Sequence, residues 1–265
     1  MGRCGLFRDP LQNLLGQVAA SGRKPPEREA VWARLVNEAD CRRMAEIGVW
    51  KAEFARRLLS ECPTLETYCV IDPWRKLEIW NKPWNLGDRE FERVFSEAPQ
   101  NVAPFASKTV VLRGTTSEVI RQVPDESLDL ACIDDDHTLR GITVDLFRVY
   151  PKVRPGGFLG GDDFCDNIWQ HSREFEPSLV CPFVVYFAEA VDAEVFVLPC
   201  QQFLIRKPVG ATGFRVVDLT ARRTKFDLLS RIQGRGGGFR PRCIFRRSSR
   251  ASLIRWAWCS TATAA

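Results

Sequence analysis

The sequence predicts an α/β protein built on a doubly wound, mainly parallel sheet of about seven strands with an antiparallel edge strand. Three observations carry this expectation. Apolar runs of strand length alternate with helical patterns between residues 43 and 192, as a parallel sheet with crossover helices requires. Two of those runs stop abruptly at acidic clusters, Ile133-Asp134-Asp135-Asp136-His137 and Gly160-Gly161-Asp162-Asp163. The last two runs, 194–198 and 202–206, follow one another with no room for a helix, so they pair as a hairpin.

In chain order, residues 1–27 carry turn formers and the Lys24-Pro25-Pro26 break and read as a loosely packed lead-in. A helix follows over 27–39, with Ala30, Val31 and Leu35 as its apolar positions. The first strand covers 44–50 and runs into a glycine turn. Residues 51–62 then have helical spacing, with Phe54, Leu58 and Leu59 on one face. The second strand, 65–71, ends in Asp72-Pro73-Trp74, where the proline prevents continuation. Residues 74–85 hold three tryptophans and two prolines and read as an irregular loop. Helix 88–98 leads to the third strand at 109–112, and Thr116 or Ser117 can cap the short helix after it. The strand at 128–133 enters the first acidic cluster. Helix 138–150 stops at Pro151, and Arg154-Pro155-Gly156-Gly157 turns into a strand at 158–159. Helix 182–191 precedes the closing pair.

Composition narrows the class. At 265 residues with 45% hydrophobic content, the chain can hold one α/β domain with appendages. No run of about 18 apolar residues appears, so no membrane span is expected. The first ten residues lack an apolar segment and a small-residue cleavage site, so secretion is not expected. The ten cysteines are scattered without CxxC pairs, which suits a reducing, cytoplasmic setting and excludes a zinc framework. Charge divides the chain. Residues 207–265 carry 13 Lys and Arg against Asp218 and Asp227; since the whole chain is at +5, residues 1–206 stand at −6. The expected organisation is a lead-in and helix over 1–40, the sheet domain over 41–207 and a basic, poorly ordered tail over 208–265.

Ligands of open α/β sheets bind at the carboxyl ends of the strands. The first such turn, Glu46-Ile47-Gly48-Val49-Trp50-Lys51-Ala52, has Asp72 24 residues beyond Gly48, the spacing of an acid that accepts from ribose hydroxyls. A dinucleotide needs several glycines for its pyrophosphate. Here Gly48 is alone, with Trp50 and Ala52 where glycines would be wanted. A nucleoside ligand without phosphates, such as S-adenosylmethionine, fits that turn better.

Glu46-Ile47-Gly48-Val49-Trp50, Val70-Ile71-Asp72, Ile133-Asp134-Asp135-Asp136-His137 and Arg154-Pro155-Gly156-Gly157 together resemble the successive motifs of class I S-adenosylmethionine-dependent methyltransferases with a Rossmann-like fold. The branch they are most similar to is the catechol, caffeoyl-CoA and macrocin O-methyltransferase-like group, over residues 43–206. The resemblance implies that Glu46 and Gly48 line the methionine part of the cofactor. It also implies that Asp72 accepts from the ribose and that Thr115, Thr116 and Ser117 lie on the adenine side, with Asp134 on the cofactor's edge. Ala52 departs from the glycine of many relatives, at little cost if the backbone there is right-handed.

In metal-dependent relatives the strand-end aspartate and a following carboxylate pair hold a divalent ion; Asp134, Asp162 and Asp163 occupy those positions. An oxygen-only set suits Mg²⁺, while the bland alternative is a helix cap with solvated neighbours. His137 and His171, the two histidines, both follow predicted strand ends. Either suits removal of a hydroxyl proton near neutral pH, and His137 can equally pair with Asp136. The expected reaction is methylation of a small hydroxylated molecule. A rival from another class is a non-catalytic nucleic-acid binder that uses the Arg/Gly-rich segment at 234–240.

Overall fold

The computed structural model describes residues 10–20, 27–165, 167–211 and 213–220. The Arg/Gly-rich segment and most of the basic tail lie outside the described residues. Strands β1 (Arg43–Ile47), β2 (Thr67–Asp72), β3 (Thr109–Arg113), β4 (Leu128–Ile133), β5 (Val153–Gly161), β6 (Glu194–Leu198), β7 (Gln202–Arg206) and β8 (Arg215–Asp218) form one sheet. Its order is β3-β2-β1-β4-β5-β7-β6-β8. β7 alone is antiparallel to its neighbours, inserted between β5 and β6, and β8 adds to β6 in parallel. The eighth strand lies in the region expected to be tail, because its four residues are too short a run to stand out in a basic segment.

Among the described residues seven α-helices lie against the sheet: α1 (Pro10–Ala20), α2 (Arg28–Glu38), α3 (Glu53–Glu61), α4 (Asp88–Val102), α5 (Thr116–Val119), α6 (Leu139–Val149) and α7 (Val180–Ala190). Period-two alternation sorts the strands between two cores. Met44, Tyr68, Leu130 and Cys132 pack with Trp32, Val36, Phe54 and Leu58 on the face of α1 to α4. Ala45, Ile47, Ala131 and Ile133 pack with Leu146, Val184 and Phe187 on the face of α6 and α7. The lead-in is better packed than its sequence suggests. Pro10 opens α1, and Leu11 and Leu14 are buried in the first core. Two buried leucines contribute about 3–6 kcal/mol, enough to dock an 11-residue helix that would be marginal alone.

Three other boundaries move for local reasons. β5 starts at Val153 and takes in the Arg154-Pro155-Gly156-Gly157 turn, because a register irregularity between Leu128 and Leu130 absorbs the extra residues. α4 runs on through Pro99 to Val102. The cap of α5 is Thr115 rather than Thr116 or Ser117: its backbone N–H donates to Glu118 at 2.8 Å in a capping box. All five parallel strands from β1 to β5 end on one side, and the order reverses between β1 and β4, where an open sheet parts to form a crevice.

Candidate functional site

The turn after β1 is shaped by one glycine and one aspartate. Gly48 has φ +82°, and a Cβ there would stand 2.0 Å from the Asp134 carbonyl oxygen. Only glycine lets the β1 turn lie against the end of β4. Asp72 then ties the turn down. One carboxylate oxygen accepts from the Val49 and Trp50 backbone N–H groups at 2.9 Å each, and the other accepts from Trp74 N–H at 2.7 Å. Burial raises the Asp72 pKa while those three donors oppose it. The acid expected to serve a ribose is thus first a clamp on its own turn, although it also lines the cleft. Trp50 and Ala52 both sit at positive φ (53° and 60°), so the backbone at Ala52 is left-handed and the low-cost condition for alanine is not met.

Glu46 projects from β1 onto the same sheet face as Tyr68, whose hydroxyl donates to it at 2.8 Å. Burial pushes the Glu46 carboxyl up to about 8, with the Tyr68 hydroxyl and Arg28 opposing, so it is largely neutral at pH 7. A buried neutral carboxyl facing a cleft can accept a hydrogen bond or, on ionising, meet a cationic group such as an amino acid's ammonium.

Beyond the ends of β4 and β5 lies an ion network. The Arg28 guanidinium, from the first turn of α2, bridges Asp134 Oδ2 at 2.8 Å and Asp162 Oδ2 at 2.6 Å. The His137 Nδ1 pairs with Asp163 Oδ2 at 2.6 Å, and its Nε2 lies 3.4 Å from Asp134 Oδ1 without hydrogen-bond geometry. Gln202 and Asp163 N–H donate to the remaining Asp162 oxygen, and Gln170 to the remaining Asp163 oxygen. Burial works against a charged His137, but Asp134 and Asp163 outweigh it and raise its pKa to about 10. Both ring nitrogens face carboxylates, Asp163 and Asp134, an arrangement that favours the charged ring over a proton-accepting one. The Asp163 carboxyl falls below its ordinary value, since His137 outweighs its burial; burial and Asp134 push Asp162 up to about 6.

The same facts test the expected metal set. Asp134, His137 and Asp163 have ligand atoms within 4.8 Å of one another, but both His137 nitrogens already face the two carboxylates. Each oxygen of Asp134, Asp162 and Asp163 already faces a cation or an N–H donor. Mg²⁺ demands near-ideal octahedral oxygen coordination, and this arrangement offers it no free set. The residues as arranged do not fit the ion.

A cleft of about 490 Å³ gathers these parts: Glu46, Gly48, Asp72, Asp134, His137, Asp162, Asp163 and His171 all line it. The volume suits a small-molecule site. Trp50, Trp80, Trp84 and Phe91 form its apolar wall, with Trp50 edge-on to Trp84 and Phe91. Burial and the nearby Lys82 lower the His171 pKa, so its imidazole is neutral at pH 7. Thr115 and Ser117 line an adjoining cleft of about 460 Å³, which shares Arg75, Leu77, Trp80 and Asp135 with the first. Asp145 lies there too, accepting from Thr116 Oγ1 at 2.5 Å and pushed up to about 7 by burial.

The tryptophan-bearing loop is tied across the cleft mouth. Buried Lys82 donates to the Glu176 carbonyl at 2.7 Å, Asn81 N–H donates to the Glu176 carboxylate at 2.9 Å, and Arg140 pairs with the same carboxylate. Sequence reasoning missed Arg28, Tyr68, Lys82 and Gln202. Tyr68 had a signal, since period two puts it on the face of Glu46; Arg28, between Glu27 and Glu29, looks like any solvated helix start.

Residues 45–164 match a family described as Methyltransferase domain. No curated protein is significantly similar to the sequence. Among solved structures, the chain is similar to a Staphylococcus aureus protein assigned as a caffeoyl-CoA O-methyltransferase, with 13% identity and a TM-score of 0.52 over 75% of this chain and 92% of that one. It is also similar to a cofactor-bound protein from MTB, with 15% identity and a TM-score of 0.50 over 74% and 88%. Among the described residues no helix is long and apolar enough to cross a membrane.

Proposed function

We propose that the chain carries a class I S-adenosylmethionine-dependent methyltransferase domain, a reading supported by the methyltransferase-domain match over residues 45–164, and that it methylates an oxygen of a small hydroxylated molecule. The observation that supports this reading is a single cleft in which the β1 glycine turn and the neutral Glu46 carboxyl share a wall with a neutral histidine, His171. When bound, S-adenosylmethionine supplies an electrophilic methyl group on a sulfonium. Gly48 gives the backbone clearance for it, Glu46 meets its ammonium end, Asp72 holds the turn and receives the ribose, and Asp134 borders it. Thr115 and Ser117 serve the adenine side. The aromatic wall orients the acceptor and excludes water; positioning two reactants for in-line attack supplies most of the rate. The cofactor would supply the methyl group to the acceptor oxygen and keep the sulfur as its leaving group, and His171 would take the hydroxyl proton. His137 stays charged and holds Asp134 and Asp163 in place. The reaction has no metal step.

Calorimetry with S-adenosylhomocysteine tests the cofactor; no heat with the folded protein would remove it. A screen of small hydroxylated acceptors then tests the substrate class. With an acceptor in hand, His171→Asn is expected to lower kcat by about 10²–10⁴-fold and to abolish the acid limb of the pH–rate profile. An unchanged profile would assign the base elsewhere.

A further inference from the structure

We infer that Arg28 is the site's own cation, standing between Asp134 and Asp162 in the place of a divalent ion held by the expected carboxylate set. Its guanidinium reaches one oxygen of each aspartate, at 2.8 and 2.6 Å, from a single rigid fork. The fork is itself held: it lies over the Phe54 ring, 4.9 Å from its centroid, and α2 is anchored by the fully buried Trp32, about one turn further along the helix. Trp32 Nε1 donates to Gln202 at 2.8 Å, and Gln202 donates in turn to Asp162, so the helix that brings the arginine and the aspartate that receives it share one buried partner. His137 Nδ1 lies 2.6 Å from Asp163 Oδ2 beside it. A divalent ion held by Asp134 and Asp162 could enter only by displacing the arginine that lies between the two strand ends. The acid cluster therefore belongs to a site that works without a metal. This consequence for catalysis rests on the methyl-transfer reading; the occupancy of the position by Arg28 does not, and metal binding alone tests it.

The test is a titration of Mn²⁺ by electron paramagnetic resonance, with full-length wild type, Arg28→Gln, Arg28→Lys and Arg28→Gln/Asp162→Asn, each checked for folding by circular dichroism. Wild type is expected to leave the free Mn²⁺ signal almost unchanged. Arg28→Gln is expected to take up one equivalent at least tenfold more tightly, and the added Asp162→Asn to remove that gain. Arg28→Lys, which cannot span both aspartates, should fall between wild type and Arg28→Gln, and it carries the test if the glutamine variant does not fold. Tight one-equivalent uptake by wild type, or folded Arg28 variants that bind no better than wild type, would overturn the inference. Either result leaves S-adenosylhomocysteine calorimetry, and with it the reading of activity, to stand separately.

Discussion

The two walls of the cleft are built from different forces. The β1–β2 wall is a backbone construction: Gly48 packs against the Asp134 carbonyl, and Asp72 accepts from three peptide N–H groups. The β4–β5 wall is a side-chain construction, in which Arg28 and His137 offset Asp134, Asp162 and Asp163. The turn that forms the backbone wall fails sterically. An ionic wall tolerates small steric changes and fails when a charge is removed. The variants that break each wall should therefore differ in kind as well as in size.

The largest effect is expected at Gly48. In Gly48→Ala the added Cβ overlaps the Asp134 carbonyl at a positive φ, and backbone on both sides must move. A loss of roughly 4 kcal/mol is expected, read as a fall in Tm of about 8–16 °C by calorimetry, together with loss of S-adenosylhomocysteine binding. A fall under about 2 °C would mean that the β1 turn does not touch β4 as described. This defect should be the same at pH 6 and pH 9.

Next comes His137. Its folded pKa of about 10 lies above the unfolded value of 6.5, so its stabilisation is complete below pH 6.5 and is lost as pH rises towards 10. His137→Gln is expected to cost about 2–3 kcal/mol at pH 6, with the gap to wild type closing as pH rises through 10. Denaturant titrations at pH 6, 8 and 10 check this; a constant gap would make the histidine a packing residue. Glu46 runs on the other wall with a similar sign. Its pKa is raised from 4.5 to about 8, so wild type loses stability as pH rises from 4.5 to 8. Glu46→Gln should remove that slope, by about 1–2 kcal/mol at pH 8 after allowing for its hydrogen bond from Tyr68, while weakening cofactor binding. Calorimetry in buffers of different ionisation enthalpy should show a proton released when wild type binds S-adenosylhomocysteine near pH 7, and none for Glu46→Gln.

The contrast between walls also explains what could be read in advance. Gly48, Asp72 and the strand ends at Asp134 and Asp162 are set by local patterns: an apolar run, a glycine, an acid at a fixed spacing. Those features place a backbone, and a backbone wall is visible in one dimension. The parallel character of the sheet followed from the same alternation, and the closing antiparallel pair from the two adjacent strand-length runs. Arg28 was not legible. It lies 106 positions before Asp134 and 134 before Asp162, and only the packing of α2 on the sheet brings it there. The protonation of His137 was hidden for the same reason, since Asp163 comes from the next strand end. A histidine's type suggests a base, but its neighbours decide its charge.

The smallest expected effect sharpens the comparison from the backbone side. Ala52 caps α3 in the left-handed region, with φ 60° and ψ 28°, and it is fully buried. An L-residue there costs about 1–2 kcal/mol, against the greater freedom that glycine has in the unfolded chain. Ala52→Gly should therefore stabilise the protein by about 0.5–1 kcal/mol, a rise in Tm of roughly 1–3 °C, and the rise should be the same at pH 6 and pH 9 because no charge is involved. A loss of stability instead would mean that the buried methyl group contributes more packing energy than its backbone strain removes. That outcome would make alanine at this turn a core residue, with the left-handed backbone retained for the sake of the methyl contact and not in spite of it.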